Sequence, residues 1–275
     1  MDNQLILPST PADGVRVLAL NRPSKRNALS QELITVFLEQ LKAASRDDGV
    51  RVIVITGSST FFCGMNSLHL PPIPDSHKGR AGADIGEISR LDAEGARDCR
   101  YLSDLCSGMQ AVRKPLIAAV EGMALGGGFE LALMCDLIFA AHDSRFGLPE
   151  VTIGLIPGAG GTQRLTNAVG KFKAMQMILL GRPISAEEAK SAGLVARLYE
   201  NGSVLDNVVK DAASTLAALS PMALGLAKEA ICKSDDLGVD HEFERSLYYF
   251  AFGTKDKEEG VKAFLEKRKP EWRSK

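Results

Sequence analysis

The chain has 275 residues, with 33 Lys plus Arg against 34 Asp plus Glu, a net charge of −1, 45% hydrophobic and 24% charged residues. That length suits one large domain or a domain with an appendage, and the composition is that of a soluble globular enzyme. The charge balance excludes a general attraction to nucleic acid or anionic membranes, and no apolar run reaches the length of a membrane span.

The five cysteines are odd in number and contain no C-x-x-C pair, so neither a disulfide framework nor a zinc site is indicated. A reducing compartment is the natural reading. Met1 to Gly14 contains no Lys or Arg, which argues against a transit peptide or secretory signal. The mitochondrial matrix, the peroxisome and the cytoplasm all stay open.

In chain order, Val15 to Leu20 alternates weakly and reads as a strand, ended by Asn21-Arg22-Pro23. Apolar residues at 33, 34, 37, 38 and 41 predict a helix over 30–44, with Ser30 as N-cap. Arg51 to Thr56 is a β-branched run, hence a buried strand. Gly64 to Arg80, with Pro71, Pro72 and Pro74, shows no periodicity and reads as a loop. Leu91 to Val112 has a helical pattern, which would put Cys99 and Cys106 on one face. Buried strands are expected at 116–120 and 136–140, with a short helix from Phe129 to Cys135 between them. After Gly161 the chain turns mostly helical, at about 162–181, 185–192, 204–218, 221–233 and from 239 onward. Alternating strands and helices, then helices alone, imply an α/β core with a helical C-terminal region.

Several motifs fail on inspection. Gly158-Ala-Gly160 would need glycine at 163 for a dinucleotide loop, where Gln163 stands. His241-Glu242 has Arg245 where a zinc helix needs histidine. The four histidines form no cluster in sequence, so no metal is expected.

What remains is Glu121 to Asp136, in which Gly126, Gly127 and Gly128 stand between a buried strand and Glu130. Glycines there allow close approach to the backbone. N–H groups at a helix start, at its positive end, suit a developing oxyanion. Read locally, a helix N-terminus with an acidic first turn and glycines for tight packing is the plainer account.

Further segments change that weighing. Leu20-Asn-Arg-Pro-Ser-Lys-Arg-Asn-Ala-Leu29, Ala81-Gly-Ala-Asp-Ile85, Phe146-Gly-Leu-Pro-Glu150, Ile156 to Leu165 and Phe264 to Pro270 occur in one order. Together they resemble the crotonase (enoyl-CoA hydratase/isomerase) family over nearly the whole chain. The resemblance implies a spiral of β-β-α turns over 1–200 and a helical lid or oligomerisation region over 201–275. It implies a homotrimer or homohexamer acting on an acyl-CoA thioester, CoA being part of the substrate and no cofactor being needed.

It also implies roles. Ala83 and Gly127 would offer backbone N–H groups to the thioester oxygen. Asp84, Ile85 and Gly86 would line the acyl-CoA site, and Ala28 would meet the CoA nucleotide, with Lys25 or Arg26 near a phosphate. Glu130 and Glu150 would flank the double bond. Two glutamates favour a hydratase over an isomerase of the same family. A non-catalytic binding or assembly protein on this fold is the reading from another class. Gly64 to Arg80 interrupts the family pattern, which leaves two accounts: a surface loop, or a short retained intron.

Overall fold

The computed structural model describes residues 4–63, 84–235, 245, 249–268 and 270. Among the described residues ten strands form two sheets: β1 (Ile6–Ala12), β2 (Val15–Leu20), β3 (Val52–Thr56), β4 (Phe61–Cys63), β5 (Leu116–Val120), β6 (Met123–Leu125), β7 (Leu137–Ala141), β8 (Arg145–Gly147), β9 (Ile184–Ser185) and β10 (Arg197–Tyr199). The larger sheet runs β1-β2-β3-β5-β7-β10, and the smaller runs β4-β6-β8-β9. Among the described strands, β1 with β2 and β8 with β9 pair antiparallel and the other pairs run parallel. Thus β3-β4, β5-β6 and β7-β8 are three successive passes, each placing one strand in the large sheet and the next in the small one. This is the expected spiral of β-β-α turns.

The apolar runs are continuous because both faces of the large sheet are covered. Ile53, Ile55, Leu116, Ala118 and Val120 point into one core with the helix Gln31–Arg46. Val52, Val54, Ile117 and Ala119 point into a second core. That second face is closed by Val204, Val208, Val209 and Ala213 from the helical stretch over 204–218. Ser30 caps the helix Gln31–Arg46 by accepting the Leu33 N–H at 3.2 Å, as its sequence suggested.

Two expected helices are broken. The pattern over Leu91 to Val112 divides into Ala93–Asp98 and Ser103–Gln110. Arg100 and Leu102 have φ of 50° and 62°. The Tyr101 N–H reaches the Ala96 carbonyl at 3.1 Å and the Arg100 N–H reaches that of Arg97 at 3.0 Å. This is a Schellman closure with arginine where glycine is usual. The break buries Tyr101 fully and parts the two cysteines, leaving Cys106 buried and Cys99 exposed. The pattern over 162–181 divides at Gly170, φ 79°, into Gly161–Val169 and Lys171–Leu179. The short helix begins at Gly127 rather than Phe129 and ends at Leu133. Gly64 to Arg80 lies outside the described residues.

Asn27 holds the turn after β2 against the small sheet. It is 1% exposed and left-handed at φ 57°. Its side-chain amide donates to the carbonyls of Phe61 and Phe62, each at 3.2 Å, and its Oδ1 accepts the Arg22 N–H at 2.8 Å. Asn27→Ala leaves those buried groups unsatisfied, and we predict destabilisation by about 1–3 kcal/mol. Urea unfolding gives the value. A change under about 0.5 kcal/mol, the usual range of a surface substitution, would show that Asn27 is not a structural pin.

Candidate active site

The two glutamates, twenty positions apart in the chain, are brought to one place by a strand pair. β6 and β8 run parallel in the register Met123↔Arg145, Ala124↔Phe146 and Leu125↔Gly147. The Gly126 N–H then donates to the Gly147 carbonyl at 2.8 Å. Glu130 follows Gly126 by one helical turn, its N–H donating to the Gly126 carbonyl at 3.0 Å. Glu150 follows Gly147 by three residues and opens the 3-10 turn Glu150–Ile153. Both carboxylates therefore leave one backbone crossing by short paths. Both are buried, Glu130 at 1% and Glu150 at 8% exposure.

Glu130 Oε1 accepts N–H groups from Ala159 at 2.7 Å and from Gly161 at 2.8 Å. Gly161 starts the helix Gly161–Val169, whose N-cap Gly160 has no side chain to offer. Glu130 supplies that cap from another element. Two N–H donors and the positive end of that helix thus meet one carboxylate oxygen. A Cβ on Gly161 would lie 2.7 Å from Glu130 Oε1, so the glycine is what lets the acid in. Arg164 donates to the Ala159 carbonyl at 2.9 Å and steadies the same loop. Glu150 has its backbone carbonyl bound by the Leu155 N–H at 3.1 Å. It sits on a turn rather than at a helix start.

The three glycines before Glu130 have separate tasks. Gly126 has φ 56° and ψ −134°, a conformation open chiefly to glycine. Gly127 is the first residue of its helix, where geometry leaves N–H groups without intrahelical acceptors. A Cβ on Gly128 would stand 2.0 Å from the Cys63 carbonyl oxygen, so that glycine packs the helix on the end of β4. Tight packing therefore accounts for Gly128, backbone conformation for Gly126, and Gly127 stands at the helix start.

The other expected residues gather around Arg22, which sequence reasoning had not singled out. Its guanidinium donates to Asp84 Oδ2 at 2.8 Å and to the Ala28 carbonyl at 3.2 Å. Asp84 Oδ1 accepts the Gly86 N–H at 2.9 Å and caps the short helix Ile85–Ile88. The Asp84 N–H donates to the Leu29 carbonyl at 3.0 Å. Ile85 and Ala28 are each 5% exposed. One arginine thus ties the segment after β2 to the segment entering at Asp84. Arg26 lies over the Phe61 ring at 5.3 Å, while Lys25 is exposed. Ala83 lies outside the described residues. No sequence signal links Arg22 with Asp84, 62 positions apart, whereas the uncapped glycine-rich start at 160–161 does ask for a distant acceptor.

Among the described residues no group of three or more His, Cys, Asp or Glu side chains is placed to hold a metal, and no single helix is long and apolar enough to cross a membrane.

Parallel strands spiral between two sheets, with two buried glutamates and a glycine-opened helix at their edge. The enoyl-CoA hydratase/isomerase family model matches residues 10–69 and 79–275, and the chain belongs to that family. It is 42% identical to the 2,3-dehydroadipyl-CoA hydratase of Escherichia coli (strain K12), over 94% of this chain and 95% of the relative. It is 41% identical to a probable mitochondrial enoyl-CoA hydratase of Dictyostelium discoideum, over 95% and 88%. Among solved structures it resembles an enoyl-CoA hydratase subunit from Geobacillus kaustophilus, with TM-score 0.75, 37% identity and 99% of each chain covered. It also resembles a methylmalonyl-CoA decarboxylase, with TM-score 0.82, 27% identity and 99% of each covered.

Asp84 gives a pH prediction. Burial alone would raise its pKa, but the Arg22 hydrogen bond and charge, with the Gly86 N–H, hold it below the usual carboxylate value. A depressed folded pKa adds stability above the unfolded value of about 3.9, and that stability is lost as pH falls through the folded value. Asp84→Asn has no such contribution to lose. The stability difference between parent and variant should therefore shrink as urea midpoints are taken from pH 6 toward pH 3. A constant difference would break the assignment.

Proposed function

We propose that this protein is an enoyl-CoA hydratase, adding water across the 2,3 double bond of a trans-2-enoyl-CoA in fatty-acid or branched acyl-CoA breakdown. The observation that carries this is the pair of buried glutamates set on either side of the Gly126–Gly147 hydrogen bond. Hydration puts a hydroxyl on C3 and a proton on C2, with negative charge on the thioester oxygen between. Two positioned carboxyl groups serve if one stays charged and the other exchanges a proton. Glu130, held by two N–H groups at a helix start, is suited to orient and activate the water. Glu150 is suited to exchange the C2 proton.

The N–H groups of Gly127 and Ala83 hold the thioester oxygen in this reading, each worth about 3 kcal/mol in the transition state. Asp84, Ile85 and Gly86 line the acyl-CoA site and Ala28 meets the nucleotide. CoA belongs to the substrate, and proton transfer beside an oxyanion site requires no other cofactor. The five cysteines suit a reducing compartment. In this reading the spiral core over 1–200 carries the site and 201–275 is a helical lid or oligomerisation region. Phe172, Met175 and Leu179 are 87%, 45% and 65% exposed on one helix, a stripe of the kind that self-association covers, which supports a homotrimer or homohexamer.

Loss of the conjugated-thioester absorbance of crotonyl-CoA tests the reaction. Absorbance loss supports the hydratase. Double-bond migration in a 3-enoyl-CoA without hydration would make the chain an isomerase, and neither would make it a binding protein. Glu150→Gln should lower kcat by about a hundredfold or more, with far less effect on KM. Adding Glu130→Gln should cost far less than the product of the single effects. A Glu150→Gln enzyme within about tenfold of the parent overturns the role.

We further propose that Gly64 to Arg80 is foreign to the working enzyme. The family match passes over residues 70–78, inside this segment. Asp84, the first described residue beyond the segment, is tied to Arg22 and Leu29. Deleting residues 64–80 should raise kcat, because about 1 Å of looseness at a catalytic group can cost about a hundredfold. An unchanged or lower kcat in the folded deletion variant would make the segment an integral loop. If the segment is a retained intron, tryptic peptides from the native source join Cys63 to Ala81. Finding only a separate Ala81–Arg90 peptide excludes the intron.

A further inference from the structure

The helix Lys255–Leu265 offers no group to the chemistry, yet it touches the turn that carries Glu150. Gly260 is buried against Ile153, the last residue of the turn Glu150–Ile153. A Cβ at Gly260 would stand 2.5 Å from both the carbonyl carbon and oxygen of Ile153 and 3.0 Å from its Cα. These are backbone atoms, so no rotamer change relieves the overlap. The turn is one closed unit: the Thr152 N–H donates to Pro149 at 2.9 Å and that of Leu155 to Glu150 at 3.1 Å. A push on Ile153 therefore reaches Glu150 within one turn.

Neither side yields easily. Across the turn, a Cβ on Gly181 would lie 2.8 Å from Thr152 Cγ2. On the helix, Lys257 is 5% exposed, donates from Nζ to the Leu91 carbonyl and lies 5.2 Å over the Phe252 ring. Past the helix end, Arg268 grips Glu259 with two hydrogen bonds, at 2.6 and 2.9 Å.

We propose that Gly260 is a positioning residue for Glu150, and that the helix Lys255–Leu265 sets the distance at which that acid meets the substrate. This rests on Glu150 being the proton-exchanging group. The helix is a backstop: the missing side chain at 260 lets the turn settle against it, and Lys257 fixes the helix where it stands.

The test uses the full chain with crotonyl-CoA. Gly260→Ala should lower kcat about tenfold to a hundredfold, the scale of an ångström-sized misplacement. KM and the binding of acetoacetyl-CoA, whose enolate is held by backbone donors, should stay within about twofold. Gly253→Ala, whose Cβ would meet nothing nearer than 3.5 Å, is the control and should match the parent. In a Glu150→Gln background, Gly260→Ala should cost less than about twofold more, since residues acting as a unit are not additive. An unchanged kcat, or an undiminished loss in the Glu150→Gln background, overturns the proposal. Should Glu150→Gln alone keep its activity, it is the reading of Glu150 that fails. Should Gly260→Ala not fold, Lys257→Met frees the helix without adding an atom at the turn. It should then lower kcat at least threefold at constant KM, and an unchanged kcat overturns the proposal equally.

Discussion

A hydrogen bond from the Gly126 N–H to the Gly147 carbonyl, 2.8 Å long, is the constraint on which the site depends. It continues the parallel register of β6 and β8 one step past the strands, where one chain turns into a helix and the other into a 3-10 turn. A slip of one residue in that register would exchange the faces of every following side chain. Each glutamate would then leave the crossing in the wrong direction. The register is secured elsewhere: by Ala124 and Phe146, both fully buried, and by the phenylalanine pair 129 and 146 at 5.4 Å. Core packing thus fixes the geometry between two acids that never need to touch.

Around this crossing the site is braced from three directions, and each brace includes a backbone group. The loop at 159–161 grips Glu130 with N–H groups. The turn after β2 reaches Asp84 through Arg22 and the Leu29 carbonyl. The helix near the C-terminus bears on Ile153. Backbone supports carry little rotamer freedom, so they hold position at small entropic cost. They also explain the glycines: 126 for its left-sided φ, and 128, 161 and 260 because a neighbouring element comes too close for a Cβ.

Much of this was legible in the chain itself. β-branched runs such as Val52–Thr56 announce buried strands without help from context, and Ser30 announces its helix. Three-residue strands such as β4, β6 and β8 do not, since no period can be read over so few positions and only pairing defines them. The break at Arg100 and Leu102 was hidden because the left-handed residues there are not glycine. Glu130 and Glu150 were recognisable as candidates by resemblance, but the cap that Glu130 provides depends on residues 29 and 31 positions away. Arg22 was illegible, because an arginine in a turn is ordinarily just solvated.

Cys63 and Asp84, which border the stretch 64–83, are both tethered to the same turn. The Cys63 thiol donates to the Asn27 carbonyl at 2.8 Å and the Asp84 N–H to that of Leu29 at 3.0 Å. The two borders are therefore held near each other by partners two residues apart, whatever joins them. Closing a loop between ends already held adds only a slowly growing entropy with length. The fold thus contains a port for inserted sequence between Cys63 and Asp84. Lineages or engineers could lengthen, shorten or replace what it carries, and so vary access to the acyl chain while leaving the spiral untouched.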